Sequence, residues 1–309
     1  MYADASDTTG DWSYMRHEIF DEKTPVDILF VGNSMLWAAI DGPLMQEQLS
    51  QSLGRPAVVA VCGTKWSGAD LTYMIVRDFL AHRRVGMIVT SMPTSWQDNN
   101  EPHIQSYRWL AAGDAEMMYG NGPAAQAVKY GELVLGAPRR LEGLLVPARP
   151  SDASIEHATW CFTQAVSDRI EPICTLMPPQ AVCATNSQSV KFTQQVLPPY
   201  QQHYFESLRN LLIQKSIPLT VIHIPWKSEA REATAEERFN WVEFFGKQSA
   251  LLAMAPSQLF HGVSDQQLER IYYDDGCNCV HFSGTGRNFF SNAIAPPIIE
   301  EFKRHANHS

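Results

Sequence analysis

At 309 residues the chain is long enough for one large α/β domain or two smaller ones, and 45% hydrophobic with 18% charged residues is an ordinary globular balance. Its 24 basic residues against 33 acidic leave a net charge of −9, a surface that repels phosphate backbones and argues against a nucleic-acid partner. No run approaches the roughly 18 apolar residues of a membrane span.

The opening MYADASDTTGDW carries Asp4, Asp7 and Asp11 and lacks the basic start and apolar core of a signal peptide. It reads like a chain trimmed behind a leader or membrane anchor. The first strand-like run lies at 28–31, inside VDILFVGNSMLW, and stops at Gly32, Asn33 and Ser34. Next comes DGPLMQEQLSQSLG, where Asp41 can cap a helix, Pro43 suits its first turn and Gly54 can end it. A second apolar run at 58–62 leads through GTKWSG into GADLTYMIVRDFLAHRR, which places Leu71, Ile75 and Phe79 on one helical face. The third run is at 87–90.

From about 99 to 200 the alternation breaks. This stretch is rich in Ala, Gly, Pro and Gln, and is expected to be an irregular insertion or lid within the domain. Then QQHYFESLRNLLIQKS reads as an amphipathic helix before a fourth run at 219–224, and RNFFSNAIAPPIIEEFKR as a closing helix. The runs are short, β-branched and nearly continuous, as strands buried on both faces of a parallel sheet are. Their alternation with helices predicts a single α/β domain over 1–309: a three-layer α/β/α sandwich with a mainly parallel central sheet.

In open parallel sheets ligands bind at the carboxyl ends of the strands, and Ser34 follows the first strand at that edge. If SML opens a helical turn, the hydroxyl also sits near unpaired backbone N–H groups able to stabilise an oxyanion. Gly-Asn-Ser is equally good turn chemistry. A nucleophilic serine needs a base, and YYDDGCNCVHFSGTGRNFF offers His281 on an expected loop before the last helix, with Asp274 and Asp275 close enough in sequence to orient its ring. An ordinary surface histidine is the plain alternative.

Together VGNSM, VCGTKWSGADL, IPLTVIHIPW and DDGCNCVHFSGTGR resemble four local blocks of the SGNH hydrolases, also called GDSL-type esterases and lipases, whose fold is flavodoxin-like. The resemblance implies Ser34 as nucleophile, with Asn33 where the family often has Asp. It implies His281 as base and an oxyanion hole built from the backbone N–H of Ser34 and of the turn holding Gly63 and Gly68. Two positions depart from the pattern. Asn278 stands where the family places its Asp, three residues before the base, so Asp275 is the expected acid ahead of Asp274, and Asn278 would leave a serine–histidine pair with a poorer orienting group. After the third run, TSMPTSW lacks the usual Asn donor, and Thr94 or Ser95 is offered instead. This looser version is similar to an extracytoplasmic, often membrane-anchored bacterial branch that includes polysaccharide O-acetyltransferases and acetylesterases.

Other residues admit two readings. Trp37, Trp66 and Trp96 each follow a strand and either line a pocket for an acyl or sugar group, with Thr94, or close the top of the sheet. Arg287 reads as a solvated or capping residue. Cys277, Cys279 and His281 alternate like zinc ligands, yet no second Cys/His pair supplies a fourth group, so no metal is expected. GTKWSG lacks phosphate-loop spacing because Lys65 precedes its second glycine. Four of the six cysteines fall in expected loops, which favours disulfides and an oxidising compartment.

The expected protein is therefore a cofactor-free serine esterase or O-acyltransferase. It would act on an ester, an acetyl group foremost, of a carbohydrate or polysaccharide through an acyl-Ser34, outside the cytoplasm and with a membrane anchor or biosynthetic partner beyond this chain. A catalytically degenerate relative that binds polysaccharide or a partner protein is the alternative.

Overall fold

The computed structural model describes residues 15, 17–64, 69–91, 199–231, 250–252, 254, 256–273 and 281–306. Trp66, Gly68, Thr94, Trp96, Asp274, Asp275, Asn278 and every cysteine except Cys62 lie outside the described residues, as does the expected insertion up to residue 198.

Strand β1, Val26–Asn33, pairs in parallel with β2, Val59–Thr64, on one side and with β3, Val85–Ser91, on the other. Beyond β3 lie β4, Leu219–Ile222, and β5, Ala250–Leu252, so the sheet runs β2-β1-β3-β4-β5 with every pair parallel. All four runs expected as strands take part. β5 is three residues long, too short to stand out as a run.

Successive strand residues point to opposite faces. Ile28, Phe30, Val59, Val61, Met87 and Val89 enter one core, while Leu29, Val31, Ala60, Cys62 and Ile88 enter another. Helix α1, Ser34–Ala39, and α2, Gly42–Leu53, cover the first face; α3, Ala69–His82, covers the second. The sides switch because the chain leaves β1 in one direction toward β2 and then returns past β1 to β3, and parallel crossovers of one hand put two such connections on opposite faces. Helix α4, Pro199–Lys215, stays on the second face, and α7, Gly284–Ala306, returns to the first. The result is an α/β architecture with a mainly parallel sheet, consistent with a three-layer sandwich.

Local chemistry places the helix ends as expected. Asp41 caps α2 by accepting the Leu44 N–H at 3.1 Å, and Gly54 ends it in the left-handed region at φ 65°. Leu71, Ile75 and Phe79 are all fully buried on α3. Two short helices, α5, Pro256–Leu259, and α6, Asp265–Ile271, precede a small hairpin of β6, Tyr272–Tyr273, and β7, His281–Phe282. Helix α7 continues through Pro296 and Pro297, which cannot donate to the preceding turn. Pro296 is exposed and Pro297 half-buried, so water can serve the freed carbonyls.

Candidate active site

The strand-to-helix switch at Ser34 is made by its neighbour. Asn33 Oδ1 accepts the backbone N–H of Met35 at 3.1 Å and of Leu36 at 3.4 Å, which ends β1 and starts α1 at Ser34. Asn caps a helix about as well as Asp, so Asn33 serves this turn without a charge. The carboxamide leaves the N–H of Ser34 itself to other acceptors.

His281 does not ride a swinging loop, as its sequence setting suggested. It is paired with Tyr273 in the β6–β7 hairpin and is only 7% exposed. The hairpin is fixed by its aromatic residues. The Phe282 ring stacks on Phe290 of α7 with centroids 5.1 Å apart, and the Tyr272 hydroxyl donates to the Pro225 carbonyl at 2.7 Å. The sequence signal for this hairpin was two aromatic-bearing pairs flanking a polar, glycine-bearing stretch. So held, His281 places its Nε2 2.8 Å from Ser34 Oγ, 247 residues away in sequence. That is hydrogen-bond distance, with the hydroxyl donating to the Nε2 lone pair when the ring proton sits on Nδ1.

Burial pushes the His281 imidazole from its ordinary value down to about 4, so at neutral pH it is uncharged and able to accept a proton. Two pH effects follow with the same sign. For the serine chemistry proposed below, His281 would be lost as a base only as pH falls through about 4, so the acid limb of kcat/KM should lie well below the ordinary histidine value of about 6.5. Between those values the unfolded chain binds a proton that the folded chain refuses. The stability His281 holds above pH ~6.5 therefore drains away as pH falls toward 4, on the order of 3 kcal/mol in all. A pH–rate profile on an activated acetyl ester, alongside urea melts at the same pH values, checks both. An acid limb at or above 6.5 would mean that a carboxylate outweighs burial.

Gly63 lies inside β2 opposite Gly32, not in the turn where the sequence placed it. A Cβ there would stand 2.5 Å from Trp37 Cβ, so the missing side chain lets α1 settle onto β2. Trp37 is itself 1% exposed and joins the core above the sheet, which is the packing role rather than the pocket-lining one. Ser91, at the end of β3, lies beside Gly32, its Oγ 3.2 Å from where a Cβ would be. Sequence reasoning passed over Ser91 because it ended that strand at residue 90.

Arg287 is 1% exposed, so it is not solvated; its role is the capping one. Its Nη2 donates to the Trp37 carbonyl at 3.1 Å and its Nε to the Ala38 carbonyl at 3.2 Å, at the end of α1. The other described thiol question is simpler. Cys62 is a free, fully buried cysteine whose thiol burial pushes far up, which makes it inert. Among the described residues no group of three or more His, Cys, Asp or Glu could hold a metal, and no helix is long and apolar enough to cross a membrane.

Compared with known proteins, the chain matches no family model, no curated protein and no solved structure.

Proposed function

We propose that the protein is a serine esterase or O-acyltransferase of the SGNH type, acting on an ester, foremost an acetyl group, of a carbohydrate or polysaccharide outside the cytoplasm. The observation that carries this reading is the 2.8 Å contact between Ser34 Oγ and His281 Nε2 at the carboxyl end of β1. The sheet order β2-β1-β3-β4-β5 supports the finer, flavodoxin-like three-layer reading, since the switch of direction beside β1 is where such sheets bind ligands.

Ser34 Oγ attacks the ester carbonyl carbon as its proton passes to His281 Nε2. The carbonyl oxygen becomes an oxyanion, held by the N–H of Ser34 and by backbone donors of the segment from Gly63 to Gly68. The intermediate collapses, and the leaving alcohol takes the proton back from His281. Acyl-Ser34 remains. His281 then removes a proton from water, for hydrolysis, or from a sugar hydroxyl, for transfer, as that oxygen attacks the acyl carbon; Ser34 Oγ leaves and takes the proton back from His281. Asp275 is the proposed partner that orients the His281 ring, and Trp66, Trp96 and Thr94 the proposed pocket residues. The cycle needs no cofactor.

Labelling with a fluorophosphonate tests the nucleophile. Wild-type protein should label, and Ser34→Ala should not. Equal labelling of both removes Ser34 from the reaction, and labelling of neither favours a protein that binds polysaccharide or a partner without turnover.

A further inference from the structure

Helix α1 is only six residues long, and it ends inside the protein. Ile40 N donates back to the Leu36 carbonyl, after which the chain departs and the carbonyls of Trp37, Ala38 and Ala39 have no helical donor to follow. All three residues are essentially inaccessible, so water does not serve them. A buried carbonyl must find a donor elsewhere.

One face of α7 supplies it. Arg287 reaches the Trp37 and Ala38 carbonyls, and Ser291, one turn further along, donates its hydroxyl to the Ala39 carbonyl at 3.0 Å. The same hydroxyl accepts the Asp41 N–H at 2.8 Å, so the exit from α1 is also held. Two side chains thus serve three successive carbonyls of the helix that begins with Ser34. They stand on the helix that begins three residues after His281. A planar guanidinium reaches two acceptors at fixed spacing, which a lysine ammonium on a flexible stem does not reproduce. Its charge also suits the carbonyl end of a helix.

From this we infer that Arg287, supported by Ser291, is a positioning residue: it ties the helix that opens with Ser34 to α7, the helix that directly follows the strand carrying His281, and thereby sets the separation of Ser34 and His281. Its catalytic consequence rests on the serine chemistry proposed above; its geometric consequence does not. Misplacing reacting groups by about 1 Å costs on the order of 100-fold in rate.

The experiment compares wild type, R287K, S291A and S34A. It uses kcat and KM on an activated acetyl ester, and the 15N resonance of the His281 imidazole. R287K is expected to lose about 10- to 100-fold in kcat with KM within about twofold, S291A less. In both, the His281 Nε2 signal should move toward its position in S34A, where the hydroxyl is gone. A folded R287K with wild-type kcat and an unmoved signal overturns the inference. If wild type turns over no ester yet R287K still moves the signal, the serine chemistry fails and the positioning role stands. Should R287K not fold, the S291A signal decides: a shift supports the tie, and an unmoved signal overturns it.

Discussion

Ser34→Ala, His281→Ala and the double substitution are expected to lose ester hydrolysis to nearly the same extent, on the order of 10⁴- to 10⁶-fold in kcat/KM, roughly 5–8 kcal/mol of barrier. The reason is that the two groups act as a unit. A serine hydroxyl keeps its proton at neutral pH unless a base within hydrogen-bond reach takes it, and His281 Nε2, 2.8 Å away, is the proposed base. Remove either, and the other has nothing to act with. Independent contributors would instead give a double variant whose loss is the product of the single losses. Such a product would sink the reading of a coupled pair. The comparison needs only an activated acetyl ester and a thermal melt to show that each variant is folded.

The largest expected loss of stability comes from a glycine. Gly286→Ala should destabilise the fold by at least about 3 kcal/mol, because an added Cβ would stand 2.0 Å from the Ile271 carbonyl oxygen and 2.9 Å from the Phe282 ring. The oxygen is not free to yield. It accepts the Ser283 N–H at 2.8 Å, an interaction that fixes the end of α6 against the start of α7. Relief must come from moving α7 itself, and with it Arg287 and the hairpin. Gly284→Ala is the control, since a Cβ there meets nothing within 4 Å. Urea denaturation of the two variants should separate them clearly; equal stabilities would mean that the start of α7 is looser than its contacts imply.

Much of the framework was legible because it is written in local chemistry. The β1–β4 runs are nearly continuous apolar segments, and Asp41, Pro43 and Gly54 mark the ends of α2 by their individual conformational preferences. Ser34 was legible at the carboxyl end of β1, and His281 was singled out as its partner, although its place in a strand paired with Tyr273 rather than on a loop was not. What escaped depends on distant partners. Arg287 stands among small, polar and aromatic residues in GTGRNFF, and nothing nearby in sequence says that its guanidinium enters a core to meet carbonyls about 250 residues away. The placement of Gly63 inside β2 follows from contact with Trp37, not from its neighbours. Helix α6 is a different case. Its capping box, Ser264 with Gln267, stood in the sequence as a local signal and was passed over.

Ser34 and His281 are 247 residues apart in sequence, and their meeting has a kinetic consequence. A ribosome emitting this chain completes β1 long before it supplies the imidazole, 247 residues later than Ser34. Closing so long a loop is slow relative to forming local structure. Reactivity toward an acylating probe should therefore be among the last properties to emerge during refolding, after helical signals and sheet burial have already reached their native levels.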